Sequence, residues 1–306
     1  MGVRVATIDL GSNTLILLIA EKDSASRIKI LCDEARITRL GEGLKVGGNF
    51  LPAAMDRTAA VLKNFRARCD ELQVEKIVAA GTAAFRKVAD PKPFIDRIRR
   101  ECGIEIRVIS GDDEALSSYQ SVVRDFGKQY KNVAALDIGG GSTELVLSDT
   151  ARVSLPLGTV ALKEELLLHD PPTQDELVRL RKKIRDELGT APTSKIPVLT
   201  LVGLAGTCTT LAAVDQQLAV YDPDKVQGYI LTHARLKKWI NTFRPLDVAA
   251  LKQLPGMDPG RADTILAGAI LLEEVIVMLG LDRVVVSDRG LRFGMLYLES
   301  IKQIGR

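Results

Sequence analysis

The chain has 306 residues, of which 46% are hydrophobic and 26% charged, and its formal net charge is +3. That is an ordinary globular balance at a length that suits about two domains. So small a charge gives no global pull toward nucleic acid or an acidic membrane, and any anionic substrate must be drawn by a local site.

Cys32, Cys69, Cys102 and Cys208 form no C-x-x-C pair, so neither a zinc site nor a disulfide framework is indicated, and a reducing cytoplasm is the expected home. The two histidines, His169 and His233, are distant in sequence, which argues against a His-rich metal site and a Ser-His-Asp triad. The most apolar stretch, around Ile265 to Leu281, is interrupted by Glu273 and Glu274 and is expected to be a buried helix, not a membrane span.

In chain order, Val3 to Ile8 reads as a strand ending at Asp9, then a turn through Gly11, Ser12 and Asn13, then a second strand from Leu15 to Ala20. Arg27 to Arg39 reads as a third strand, followed by a basic, glycine-containing loop to Gly43. Met55, Ala59, Leu62, Phe65 and Cys69 recur every three or four positions, which predicts a helix over 52–72 with one buried face. Lys76 to Ala80 and Ile104 to Ile109 read as strands around a helix near 91–102, and Gly81-Thr-Ala-Ala-Phe-Arg86 leads out of the first of them. Alternation of strand and helix indicates an α/β half. Ser110-Gly-Asp-Asp-Glu114 opens a helix to about Phe126; Ser110 with Asp113 resembles a capping box, an account that needs no catalysis.

Ala135 to Leu147 repeats the opening pattern: a strand to Asp137, a turn through Gly139, Gly140, Gly141, Ser142 and Thr143, and a strand after Glu144. The glycines are expected to take positive φ and let an anion approach the main-chain N–H groups, the hydroxyls add donors, and Asp137 with Glu144 could hold a hard divalent cation. An ordinary glycine-rich hairpin is the alternative. A repeat at this separation suggests two related domains.

Further on come a short strand from Val153 to Leu155, a helix from about Gly158, and a charged helix from Gln174 to Leu188 whose Arg and Lys run is expected to face solvent. Pro192 to Pro197 reads as a surface loop. Val198 to Val202 is a strand feeding a small-residue turn that contains Gly206 and Thr207 and opens a helix, whose free N–H groups suit an anion; close packing of small residues would explain it equally. Thr232 caps a helix carrying Trp239, expected in the core. Val284 to Gly294 is strand, turn and helix start, with Arg292 expected near the same cleft.

Asp9-Leu-Gly-Ser-Asn13, Gly81-Thr-Ala-Ala-Phe-Arg86, Ser110-Gly-Asp-Asp-Glu-Ala115, Asp137-Ile-Gly-Gly-Gly-Ser-Thr-Glu144, Ala205-Gly-Thr207 and Ser287-Asp-Arg-Gly-Leu-Arg292 together resemble the ordered motifs of the exopolyphosphatase/guanosine pentaphosphate phosphatase family, across nearly the whole chain. The resemblance implies an α/β fold of two ribonuclease H-like domains, as in the actin, sugar kinase and chaperone ATPase superfamily. The expected domains are 1–124 and 125–306, with the active site in the interdomain cleft and a last helix able to pack back on the first domain.

By the same resemblance Glu114 would be the general base. Gly11, Ser12, Asn13, Arg86, Gly139, Gly140, Gly141, Ser142, Thr143, Gly206 and Thr207 would bind phosphate. Asp137 and Glu144, with Asp9 as a further candidate, would hold Mg²⁺ or Mn²⁺. The acidic neighbours Asp112 and Asp113 would help to raise the pKa of Glu114 toward neutrality. The implied activity is release of orthophosphate from inorganic polyphosphate, with guanosine pentaphosphate hydrolysis or non-catalytic binding of either compound as alternatives. A cytoplasmic homodimer, with neither nucleic acid nor membrane as partner, completes the expectation. The chain is similar to the short form of the family.

Overall fold

The computed structural model describes residues 2–22, 28–191 and 198–302. The loop expected at 192–197 lies outside the described residues. The chain forms two compact units, Met1–Ser117 with Leu291–Arg306, and Ser118–Gly290.

The first unit opens with β1 (Val3–Leu10), β2 (Thr14–Lys22) and β3 (Ile28–Ile37), an antiparallel meander. It continues through α1 (Pro52–Glu71), β4 (Lys76–Gly81), α2 (Ala83–Lys87), α3 (Lys92–Cys102), β5 (Ile106–Val108) and the start of α4 (Gly111–Phe126), which from Ser118 onward belongs to the second unit. The sheet order is β3-β2-β1-β4-β5, with β1, β4 and β5 parallel. Ile8, Leu10, Leu15, Leu17, Leu18 and Ile19 are wholly buried. Both faces of β1 and β2 are therefore covered, which explains why these strands read as continuous apolar runs without alternation. Each such side chain contributes about 1.5–3 kcal/mol of burial. Pro52 starts α1, where its missing N–H costs nothing, and Gly103 at φ +63° ends α3 in the left-handed region.

The second unit contains β6 (Val133–Ile138), β7 (Thr143–Ser148), β8 (Ala151–Leu155), α5 (Thr159–Leu166), α6 (Gln174–Leu188), β9 (Thr200–Leu204) and α7 (Ala205–Asp215). After these come α8 (Pro223–Val226), β10 (Ile230–Thr232), α9 (His233–Phe243), α10 (Val248–Leu251), α11 (Ile265–Met278) and β11 (Arg283–Val286). Its sheet runs β8-β7-β6-β9-β11-β10. The antiparallel meander β6-β7-β8 followed by parallel β9 and β11 repeats the order of the first unit. The duplicated acid-and-glycine turn is thus the β1–β2 turn in one unit and the β6–β7 turn in the other.

One expectation changes here. The basic run of α6 does not simply face water: Arg181 reaches Glu273 and Glu274, each at 2.5 Å, and Arg185 Nε lies 2.7 Å from Glu274 Oε2. The two glutamates that interrupt the apolar α11 are buried because α6 supplies their counter-charges. His169 and His233 are also structural, with ring nitrogens 2.9 Å from Glu176 Oε1 and 3.4 Å from Glu273 Oε1. That ring and the N–H groups of Thr173, Leu168 and His169 hold the Glu176 carboxyl down at about 2.

Arg292 has a partner that the sequence does not signal. It lies on α12 (Leu291–Lys302), which belongs to the first unit. Phe293, Leu296 and Tyr297 pack with Val5, Leu18 and Ala20 of the β1–β2 sheet. The buried guanidinium forks onto Asp33, Nε to Oδ1 at 2.8 Å and Nη2 to Oδ2 at 2.9 Å. It clamps α12 to β3.

Candidate active site

In the first unit the β1–β2 turn is tight: Gly11 N–H donates to Thr14 O at 3.1 Å, and a Cβ on Gly11 would lie 2.8 Å from that oxygen. Ser12 and Asn13 are buried, Asp9 is half-buried, and the Ser12 hydroxyl has no hydrogen-bond partner within the protein. An orphaned buried hydroxyl in such a turn suits an oxyanion acceptor arriving from outside.

Glu114 sits in the first turn of α4, buried to 9% exposure. Its Oε2 accepts from Arg86 Nη1 at 2.6 Å, and the same nitrogen donates to Ile109 O at 3.2 Å. The capping explanation for this helix start holds for its neighbours: Ser110 Oγ donates to Asp113 Oδ2 at 2.8 Å and accepts from Asp113 N–H at 3.0 Å. Capping therefore accounts for Ser110 and Asp113 and leaves Glu114 to Arg86. A cation is thus in direct contact with Glu114.

In the second unit Asp137 and Glu144 face each other directly across β6 and β7. Residues so paired share one face of the sheet with Cβ atoms about 4.5–5.5 Å apart. Asp137 Oδ2 accepts from Ser118 Oγ at 3.0 Å, and burial pushes its carboxyl up to about 6 in spite of that hydroxyl. Glu144 is 2% exposed, and its Oε1 accepts from Ser142 Oγ at 2.8 Å and Ser154 Oγ at 2.6 Å. Two hard carboxylates in this position fit a divalent cation that takes one or two protein ligands and completes its shell with water and phosphate. Among the described residues no group of three or more acids, histidines or cysteines gathers to hold a metal.

Gly139 does not take positive φ, contrary to expectation. Close approach is what this turn requires: a Cβ on Gly158 would lie 2.3 Å from Gly140 O. The first N–H groups of α5 close on the same loop, Thr159 to Gly139 O and Val160 to Gly140 O, both at 3.0 Å. The Thr143 hydroxyl is turned away, donating to Leu157 O at 2.6 Å.

Gly206 and Thr207 open α7, after Ala205 at φ +61°. A Cβ on Gly206 would lie 1.8 Å from Arg261 Cζ, so the guanidinium rests on the glycine itself. Burial lowers the pKa of this arginine, and Asp258 Oδ2 lies 3.5 Å from its Nε. A cation over the electropositive start of a helix is a setting that favours an anion. Sequence reasoning missed Arg261, Ser118, Ser154 and Gly158. For Arg261 no local pattern signalled it; for Ser118 the small hydroxyls at 117, 118 and 121 of α4 were a signal not used.

An α/β protein built from two such units, each with an acid at a tight turn after its first strand, falls in the actin-like class of phosphate-handling folds. The Ppx/GppA phosphatase family matches residues 18–302, and the chain belongs to that family. Exopolyphosphatase 2 of Mycobacterium tuberculosis is 33% identical over 310 residues, covering 95% of this chain and 97% of that protein. A bifunctional 3-dehydroquinate synthase/phosphatase of Fusobacterium nucleatum is 30% identical over 97% of this chain, which spans 46% of that longer protein. Among solved structures, the Aquifex aeolicus Ppx/GppA family member superposes with a TM-score of 0.83 at 35% identity, covering 98% of each chain.

Proposed function

We propose that this protein is an exopolyphosphatase that releases orthophosphate from the end of inorganic polyphosphate. The observation that carries this reading is the near full-length similarity to a protein named exopolyphosphatase 2. The paired carboxylates Asp137 and Glu144, the two tight turns and the Arg86–Glu114 contact supply the chemistry it needs.

In this reading the Glu114 carboxylate orients the attacking water and accepts its proton, while the terminal P–O–P bond breaks in line and the shortened chain leaves. Arg86 and Arg261 offset the charge of the phosphates. Gly11, Ser12 and Asn13, Gly139 to Thr143, and Gly206 with Thr207 place the oxygens through N–H and hydroxyl donors. Thr143 takes part through its backbone, its hydroxyl being engaged. Asp137 and Glu144, with Asp9 as a further ligand, would hold Mg²⁺ or Mn²⁺, which would supply positive charge to the developing phosphoryl oxygens. Such catalysis needs no protein nucleophile. The reading also takes the protein to act in the cytoplasm as a homodimer.

Guanosine pentaphosphate is the second substrate to test, because a relative from Aliivibrio fischeri, 27% identical over 303 residues, is named guanosine-5'-triphosphate,3'-diphosphate pyrophosphatase. Phosphate release from short polyphosphate, long polyphosphate, guanosine pentaphosphate and ATP, with and without Mg²⁺ or Mn²⁺, decides between them. The polyphosphates should turn over fastest, and only with metal. Tight binding of one compound without release of phosphate would show a sensor and overturn the reading.

A further inference from the structure

Residues 38–50 form a strap that touches both phosphate-facing parts of the first unit. At one end the N–H groups of Thr38 and Arg39 both donate to Asn13 O at 3.0 Å, and Gly41 N–H donates to Ser12 O at 2.8 Å. A Cβ on Gly41 would lie 2.9 Å from Ser12 Cβ, so the strap is seated on the turn with no room for a side chain. Arg39 holds φ +51°, a conformation uncommon for a residue with a Cβ and kept here by the paired bonds to Asn13.

At the other end the strap grips α2 around Arg86. Gly47 N–H donates to Lys87 O and Ala89 N–H donates to Gly48 O, each at 2.8 Å. Phe50 meets Phe85 edge-on with ring centroids 5.4 Å apart. The middle is fastened by one side chain of α1: Arg57 Nε donates to Thr38 O at 3.0 Å and Nη2 to Glu42 Oε2 at 2.8 Å.

We propose that Arg57 is a positioning residue for the substrate. Its fork fixes the strap, and the strap fixes Ser12 and Asn13 relative to Arg86. This rests on the reading of those three residues as phosphate contacts. Arg57 and Glu42 are 45% and 44% exposed, so their ion pair adds little to stability. Small displacements of groups that hold a reacting phosphate are costly to turnover even when the fold is intact.

The experiment compares Arg57→Lys and Glu42→Gln with the parent, using tripolyphosphate in steady-state hydrolysis with Mg²⁺ and in calorimetric binding without metal. Lysine keeps the charge but cannot bridge Thr38 O and Glu42 together, whereas glutamine loses the charge and keeps the acceptor. Arg57→Lys should raise KM and Kd roughly tenfold with kcat within about twofold of the parent. Glu42→Gln should stay close to the parent in all three. Parent-like behaviour of Arg57→Lys, or a Glu42→Gln defect as large as that of Arg57→Lys, overturns the proposal, because charge and not the fork would then govern. A parent that neither binds nor cleaves tripolyphosphate refutes the phosphate reading of this unit, and the proposal falls with it.

Discussion

Arg86 Nη1 lies 2.6 Å from Glu114 Oε2, so the arginine expected to meet the substrate also holds the carboxylate expected to activate water. Nη1 donates to both Glu114 and Ile109 O, and it belongs to a guanidinium that carries five donors in a planar fork. A lysine at this position would present one compact charge without the planar fork. Arg86→Lys should therefore lower kcat/KM on tripolyphosphate by about 10²-fold, measured by initial rates. Retention of parental kcat/KM would mean that Arg86 only braces the start of α4.

Asp137 carries a cost that a bound cation would relieve. Burial raises its carboxyl to about 6, above the usual aspartate value, so the native state binds this proton more tightly than the unfolded chain does. The sign follows: the penalty is absent at low pH, grows between about pH 4 and 6, and is complete above 6. Roughly two units correspond to an upper figure of about 3 kcal/mol. In EDTA-treated protein Asp137→Asn should melt higher than the parent at pH 8, and the gain should vanish near pH 4, while phosphate release is lost. Thermal melts across pH check this; a gain independent of pH would contradict it.

The Arg292–Asp33 fork makes the opposite kind of prediction. Arg292 is 7% exposed and holds α12 to β3, so truncation leaves an unpaired carboxylate and a void. Arg292→Ala should destabilise the protein by about 3–5 kcal/mol in urea unfolding, while the folded fraction keeps a KM within about twofold of the parent. A large rise in KM at unchanged stability would contradict this and make Arg292 a substrate contact.

What the sequence disclosed and what it hid divide along physical lines. The β1–β2 and β6–β7 turns were legible because strand, acid and glycine follow one another within a dozen residues, and their repetition is the repetition of a sheet order. The continuous apolar runs and the three-to-four spacing in α1 fixed the elements around them. Contacts between elements distant in sequence were not legible. The Arg292–Asp33 fork was hidden because no local pattern ties the two residues, and Arg181 looked solvated because Glu273 and Glu274 are more than ninety positions away. The requirement for glycine at 158, where a Cβ would strike Gly140 O, was hidden for the same reason: it is a contact between separate segments.

The most direct measurement is orthophosphate release from tripolyphosphate by the parent and by Glu114→Gln, with Mg²⁺ present and binding followed by calorimetry. The amide keeps the size of the side chain and an oxygen to accept from Arg86, but it cannot take a proton from water. The variant should bind within about threefold of the parent and lose 10²-fold or more in kcat, the usual contribution of a positioned base being about 10²–10⁴. Equal rates for the two proteins would contradict the assignment of Glu114 as the base.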